Sequence, residues 1–204
     1  MDNISLTKNM LTALILAGGQ ARRMDGQDKG MIKLNDKPLI QHVLEGIAPQ
    51  VGFVIINANR NLDYYATFGC PVITDEFAGF QGPLAGMASG LRAVDTPFMV
   101  TVPCDSPFIP ADLVKRLYLK LAEDKAELCV AHDGERMHPV FLLMKSDLLD
   151  SLIDFLKSGE RKIDLWFNNH KLAVSDFSDK PDIFTNINTP DELTRIAENL
   201  KKTH

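Results

Sequence analysis

Short, nearly unbroken apolar runs alternate along this chain with stretches of helical period. Residues 11–17 (LTALILA), 52–57 (GFVIIN), 71–74 (PVIT), 97–103 (PFMVTVP) and 127–132 (ELCVAH) are rich in Val, Ile, Leu and Phe and predict strands. Continuous rather than alternating apolarity marks a parallel sheet covered on both faces. Residues 38–49, 83–94 and 110–124 carry helical patterns, with Pro38, Pro83 and Pro110 at their first turns. A proline suits that position because its φ is already helical and its missing N–H is not needed there. This β-α-β rhythm predicts an α/β, three-layer, doubly wound fold.

After about residue 135 the rhythm changes. Residues 136–145 (RMHPVFLLMK) predict a strand, 146–159 an amphipathic helix and 171–178 another strand. A helix follows from Pro190, with Thr189 as cap and Asp191 and Glu192 complementing the dipole. A strand paired without a helical crossover makes the mostly parallel sheet a mixed one.

The 204 residues suit a single domain with a proper core, and the polar residues 1–10 are expected to be disordered. A net charge of −5 offers no basic field for nucleic acid or anionic membrane. No run reaches the length of a membrane span, and the start lacks the features of a signal peptide. Three scattered cysteines (Cys70, Cys104, Cys129) show no metal-type spacing and read as reduced thiols of a cytoplasmic protein.

The chemistry starts at Leu14–Lys33. Gly18 and Gly19 leave the first strand, where missing Cβ atoms permit close approach of an anion. Arg22, Arg23, Lys29 and Lys33 follow, against Asp25 and Asp28, so the segment is locally positive in an acidic chain. Backbone N–H groups, forked arginines and point-charge lysines are what a polyphosphate needs. No GK[ST] follows Gly26 and no GxGxxG is present, which excludes the P-loop and the dinucleotide fingerprint. The blander alternative is a surface loop with scattered charges.

Asp105, in VPCDSPFIP (102–110), ends an apolar strand, the place where open α/β sheets bind ligands. One such carboxylate can hold Mg²⁺ together with phosphate oxygens and water, although a turn or cap aspartate looks the same in sequence. Cys104 reads as a small buried residue. Gly82, Gly86 and Gly90 recur at four-residue intervals, marking close helix packing or ligand contact, with packing favoured for Gly90 and ligand contact plausible for Gly82. Asn57 and Asp75 end the second and third strands on the same edge as Asp105. Asn186 and Asn188 alternate along an extended segment, so their amides share a side. His42 and His138 lack zinc-type spacing and read as structural or exposed.

LAGGQARRMDGQDKG, NDKPLIQHV, NANR, QGPLAGM, PCDSPFIP, DGERMHPV, SGERKI and NINTPDEL, in order from about Leu11 to Leu193, closely resemble the bacterial molybdenum cofactor guanylyltransferase family. LAGG-x-x-x-R-M alone marks only the broad nucleotidyltransferase class; PLAGM, PCD-x-P and N-x-NTP are more specific. The resemblance implies a Rossmann-like nucleotidyltransferase fold. Residues 11–107 or so would carry the nucleotide and about 108–200 the pterin acceptor. It implies transfer of GMP from GTP to the terminal phosphate of Mo-molybdopterin, with release of pyrophosphate. Leu16, Ala17, Gly18, Gly19, Asn57 and Asp75 would hold the nucleotide. Arg23 and Lys29 would sit at the triphosphate, and Asp105 would hold Mg²⁺. Gly82, Gly86, Asn186 and Asn188 would face the acceptor. Transient contacts with cofactor-supplying and molybdoenzyme-maturation proteins are implied as well.

Three alternatives stay open at this level. A cytidylyltransferase would use much the same loop, although the family's pyrimidine enzymes tend to carry Ala where Gly18 stands. A sugar-phosphate nucleotidyltransferase is disfavoured by the C-terminal motif. A delivery module that binds nucleotide or cofactor without chemistry is opposed by Lys29 and Asp105.

Overall fold

A computed structural model describes residues 7–18, 28–76, 82–187 and 189–202. The strands are β1 (Leu11–Leu16), β2 (Lys33–Leu34), β3 (Lys37–Pro38), β4 (Phe53–Asn57), β5 (Val72–Ile73), β6 (Phe98–Pro103), β7 (Leu128–His132), β8 (Met137–Lys145) and β9 (Leu172–Asp176). Seven of them form one sheet in the order β5-β4-β1-β6-β8-β7-β9, and β2 and β3 form a separate hairpin. Every pairing in the large sheet is parallel except those of β8, which runs antiparallel to both β6 and β7. The predicted mixed, mostly parallel sheet is therefore present.

β8 carries a proline inside the sheet without breaking it. Its register with β7 jumps from Val130 opposite Leu142 to Ala131 opposite His138. Pro139 falls in the residues skipped by that bulge, where no ladder N–H is required of it.

The helices are α1 (Leu39–Ile47), α2 (Leu62–Ala66), α3 (Pro83–Ala93), α4 (Leu113–Glu123), α5 (Leu149–Lys157), α6 (Ile163–Phe167) and α7 (Pro190–Lys202). Alternate residues of β1 feed two cores. Leu11, Ala13 and Ile15 join Ile40, Val43 and Ile47 of α1 and Leu113, Leu117 and Leu121 of α4. Leu14 joins Leu84, Met87 and Leu91 of α3, Leu152 and Leu156 of α5, and Trp166 of α6. Covering both faces satisfies the apolar runs and makes the three layers.

A third, smaller cluster ties the C-terminus to the front of the molecule. Ile196 of α7 packs with Ile187, Ile32, Leu34 and Leu39, backed by Phe108, Leu193 and Ala197. The helix starts on the predicted cap: Thr189 N–H donates to Glu192 Oε2 and Glu192 N–H to Thr189 Oγ1, at 3.1 and 3.2 Å. This reciprocal capping box satisfies two orphan donors of the first turn.

Two helix starts differ from expectation. Pro38 lies just before α1 in extended conformation (φ −57°, ψ 144°) because it closes the β2–β3 hairpin, whose Asn35 and Asp36 both have positive φ. An Asn-Asp pair of that kind is the signature of a tight primed turn. Pro110 likewise precedes α4, its carbonyl accepting from Leu113 N–H. Of the residues expected to be disordered, 1–6 lie outside the described residues, whereas Lys8–Met10 form a turn of 3₁₀ helix. That turn packs on Gly52, where a Cβ would meet Lys8 O at 2.8 Å.

Candidate active site

The carboxyl ends of the parallel strands come into register at one edge. Leu16 of β1 pairs with Asn57 of β4 on one side and with Pro103 of β6 on the other, and Asn57 pairs with Ile73 of β5. The ladder continues past the strands: Ala17 N–H donates to Asn57 O at 2.8 Å and Cys104 N–H to Leu16 O at 3.1 Å. Above this edge opens a cleft of about 700 Å³, a volume typical of ligand sites. Leu16, Ala17, Gly18, Lys29, Asn57, Asp75, Gly82, Asp105 and Asn186, all anticipated from sequence, line it. Gly19, Arg23 and Asn188 lie outside the described residues.

One end is an amide–carboxylate cage. Asn57 Nδ2 donates to Asp75 Oδ1 at 2.9 Å and Asn59 Nδ2 donates to Oδ2 at 2.8 Å. Asn59 Oδ1 in turn accepts from Asp75 N–H at 2.8 Å. Gly18 passes directly over these amides: a Cβ there would meet Asn59 Nδ2 at 3.1 Å and Asn57 Oδ1 at 3.2 Å. Asn57 is buried, so its amide is held rather than mobile.

The glycines of α3 divide by depth. Gly82, at φ 92°, lines the cleft and leads into Pro83 at the first helical position. Gly86 stands behind the cage, where a Cβ would meet Asn57 Oδ1 at 2.4 Å and Leu16 Cδ2 at 2.7 Å. It is thus placed as support for Asn57 and not among the cleft-lining residues. Gly90 is a packing glycine, with Leu14 Cδ2 2.4 Å from the missing Cβ.

The other end is ionic. Lys29 Nζ donates to Asp105 Oδ2 at 2.7 Å, and the Asp105 side chain is only 9% exposed. The neighbouring Asp28 is buried yet reaches the cleft. Its Oδ1 accepts from Tyr65 Oη at 2.6 Å, and its Oδ2 from Asn61 Nδ2 at 3.2 Å, with Arg60 Nε 3.4 Å away. Burial, reinforced by Cys104 and Asp28, pushes the Tyr65 hydroxyl far above its ordinary value and keeps it a donor. Gly30 lets that hydroxyl pass, since a Cβ there would meet Tyr65 Oη at 2.6 Å.

The C-terminal motif reaches the same loop. Ile187 N–H donates to Asp105 O at 3.0 Å, and Ser106 Oγ donates to Asn186 Oδ1 at 2.5 Å. Burial, with Asp105 and Asp28 next in effect, pushes the Cys104 thiol well above its ordinary value, so it is no nucleophile at neutral pH. Among the described residues no cluster of three or more His, Cys, Asp or Glu forms a ready-made metal cage. Asp105 offers a hard carboxylate at the cleft, which suits a cation completed by substrate phosphates and water.

Sequence reasoning missed Asn59, Arg60, Asp28 and Tyr65 as site residues. Asn59 and Arg60 stood inside the NANR motif, and Asp28 counted only as charge against the loop's cations. Tyr65 carries no local signal, because it meets Asp28 only through the fold.

Residues 13–172 match the family model described as the MobA-like NTP transferase domain. The chain is 49% identical over 192 residues to the molybdenum cofactor guanylyltransferase of Shewanella sediminis (strain HAW-EB3), covering 94% of this chain and 98% of that protein. It is 49% identical over 188 residues to the protein of the same name from Shewanella loihica (strain ATCC BAA-1088 / PV-4), covering 92% and 96%. Among solved structures, the molybdopterin-guanine dinucleotide biosynthesis protein A of Archaeoglobus fulgidus superposes with a TM-score of 0.77. At 24% identity, covering 94% of this chain and 99% of that one, it is a likeness of fold. No helix among the described residues is long and apolar enough to cross a membrane.

Proposed function

The chain belongs to the MobA-like NTP transferase family, among the molybdenum cofactor guanylyltransferases, and is a nucleotidyltransferase; on that premise we propose that it transfers GMP from GTP to the terminal phosphate of Mo-molybdopterin, releasing pyrophosphate. The observation that carries this reading is a cleft with a carboxylate cage at one end and a Lys29–Asp105 pair at the other.

The cage suits guanine. Guanine presents two adjacent donors, N1–H and N2–H, to a carboxylate; cytosine presents one donor beside an acceptor. Each Asp75 oxygen already accepts one amide N–H, which fixes the group and leaves lone pairs for the base. The backbone of Leu16, Ala17 and Gly18 completes that end, and the sequence motif assigns Gly19 to the nucleotide as well. Gly82 and Asn186, which line the same cleft, would face the pterin acceptor, the sequence motif assigns Asn188 there too, and Gly86 serves by backing Asn57.

The reaction needs no dedicated base. The attacking oxygen belongs to a phosphate monoester whose second pKa is about 6, so it is largely ionised at neutral pH. Charge is the obstacle. The described cleft residues include three carboxylates (Asp28, Asp75, Asp105) against two cations (Lys29, Arg60). Mg²⁺, held by Asp105 and the nucleotide's phosphates, would supply the missing positive charge and stabilise the transferring phosphoryl group. Lys29 would neutralise the same region, a role the sequence motif gives to Arg23 as well, so the protein's contribution is positioning and electrostatics. A cytoplasmic location and transient contacts with cofactor-supplying and molybdoenzyme-maturation proteins belong to this reading. The three free thiols suit a reducing compartment.

Incubating the protein with GTP, Mg²⁺ and Mo-molybdopterin tests the proposal: pyrophosphate should appear in step with the dinucleotide. Binding of GTP without any release would leave a delivery module. Calorimetric titration should give tighter binding of GTP than of CTP, and the reverse order would overturn the base assignment.

A further inference from the structure

Arg60 enters the cleft from the loop between β4 and α2, and its placement is built rather than incidental. Its side chain is 39% exposed, yet its Nε is buried within 3.4 Å of Asp28 Oδ2. Asp28 is itself fixed from two further directions, by Tyr65 Oη at 2.6 Å and by Asn61 Nδ2 at 3.2 Å. Asn61 adopts a left-handed backbone (φ 52°, ψ 35°), an uncommon state for a residue with a side chain. A buried carboxylate thus grips the stem side of the guanidinium while the side chain lines the cleft.

The order of groups along the wall sets what Arg60 can meet. Asn57 and Asn59 hold Asp75 at the base end. Arg60 follows Asn59 in sequence and reaches Asp28, the residue immediately before Lys29. It therefore stands on the Lys29 side of the cage, where the phosphates of a nucleotide bound at Asp75 run toward Asp105. A guanidinium in that position offers forked donors to adjacent phosphate oxygens, which a lysine cannot reproduce.

We infer that Arg60 is a polyphosphate-binding residue for the nucleoside triphosphate, with Asp28 as the positioning residue that aims it. The inference rests on reading the cleft as a nucleoside-triphosphate site, but not on which base is bound. It assigns to Asp28 a second role, joining the segment that carries Lys29 to the loop that carries Arg60.

Calorimetric titration of the purified protein with GTP, CTP, guanosine and inorganic tripolyphosphate tests it. Arg60→Ala should weaken GTP and tripolyphosphate binding by about tenfold to a hundredfold and leave guanosine binding unchanged, which also shows that the variant is folded. Arg60→Lys should recover only part of the loss. Asp28→Asn should resemble Arg60→Ala for tripolyphosphate, with an intact guanosine site. Equal GTP affinity in wild type and Arg60→Ala, or a matching loss for guanosine, would overturn the inference. Were CTP preferred over GTP, with the Arg60→Ala loss intact, the guanine reading would fall and this one would stand.

Discussion

Lys29 Nζ lies 2.7 Å from Asp105 Oδ2, joining residues 76 positions apart at one end of the cleft. The lysine comes from the segment after β1 and the carboxylate from the end of β6, so neighbouring parallel strands deliver both. Each holds the other in place. On the proposed reading, a hard cation held by Asp105 would compete with Lys29 for the same oxygen and leave the ammonium to the phosphates.

Lys29→Ala should therefore act mainly on turnover. Loss of one preorganised donor at a developing charge lowers kcat by about 10²- to 10³-fold. Pyrophosphate-release kinetics should show a much smaller change in KM for GTP. Wild-type turnover in this variant would remove Lys29 from the mechanism.

Asp105→Ala should abolish metal-dependent transfer at any practical Mg²⁺ concentration, because no described cluster of ligands stands ready to replace it. A magnesium titration of the variant is the measurement. Recovery of full rate at ordinary Mg²⁺ would place the metal elsewhere.

Gly86→Ala should damage the base end without touching ligand. The new Cβ would come within 2.4 Å of Asn57 Oδ1, on the amide whose Nδ2 donates to Asp75, so the amide can yield only by loosening that bond. Overpacking of this kind costs about 1–3 kcal/mol. We expect a lower Tm and weaker GTP binding, with tripolyphosphate affinity retained.

A pH-dependent contribution to stability comes from the β7–β8 turn. Asp133 accepts from the backbone N–H of Arg136 and Glu135 and contacts His138 Nε2 at 2.6 Å. The Arg136 N–H foremost, then His138, then the Glu135 N–H hold its carboxyl well below the usual range. A depressed folded pKa stabilises above the unfolded value of about 3.9, and this is lost as pH falls from there toward the folded value. Thermal melts from pH 7 to pH 3 should show Asp133→Asn well below wild type at neutrality, with the gap closing in acid. A constant gap would separate the Asp133 carboxylate's charge from stability.

The strands and the large helices were legible because their apolar periods are set by burial on two faces, as in Leu11–Leu16 and Pro83–Ala93. Strand-end residues such as Asn57 and Asp105 were legible for the same reason, since an open parallel sheet gathers its carboxyl ends at one edge. What escaped was decided by tertiary contact. Asp28 looks like any loop acid until Tyr65 and Asn61 close on it. Gly86 reads as a ligand turn until the helix sets it against Leu16 and Asn57. Pro38 has the residue type of a helix start, but the positive-φ Asn35-Asp36 turn makes it the end of a hairpin strand.

The hydrogen bonds from Ile187 to Asp105 and from Ser106 to Asn186 also order the site in time. Synthesis runs from the N-terminus. The cage around Asp75 and the Lys29–Asp105 pair draw only on residues up to Asp105, but Asn186 is made 80 residues after the Ser106 that anchors it. In a growing chain the bonds that tie Asn186 and Ile187 to the Asp105 loop can therefore close only after the residues of the cage and of the Lys29–Asp105 pair have been made.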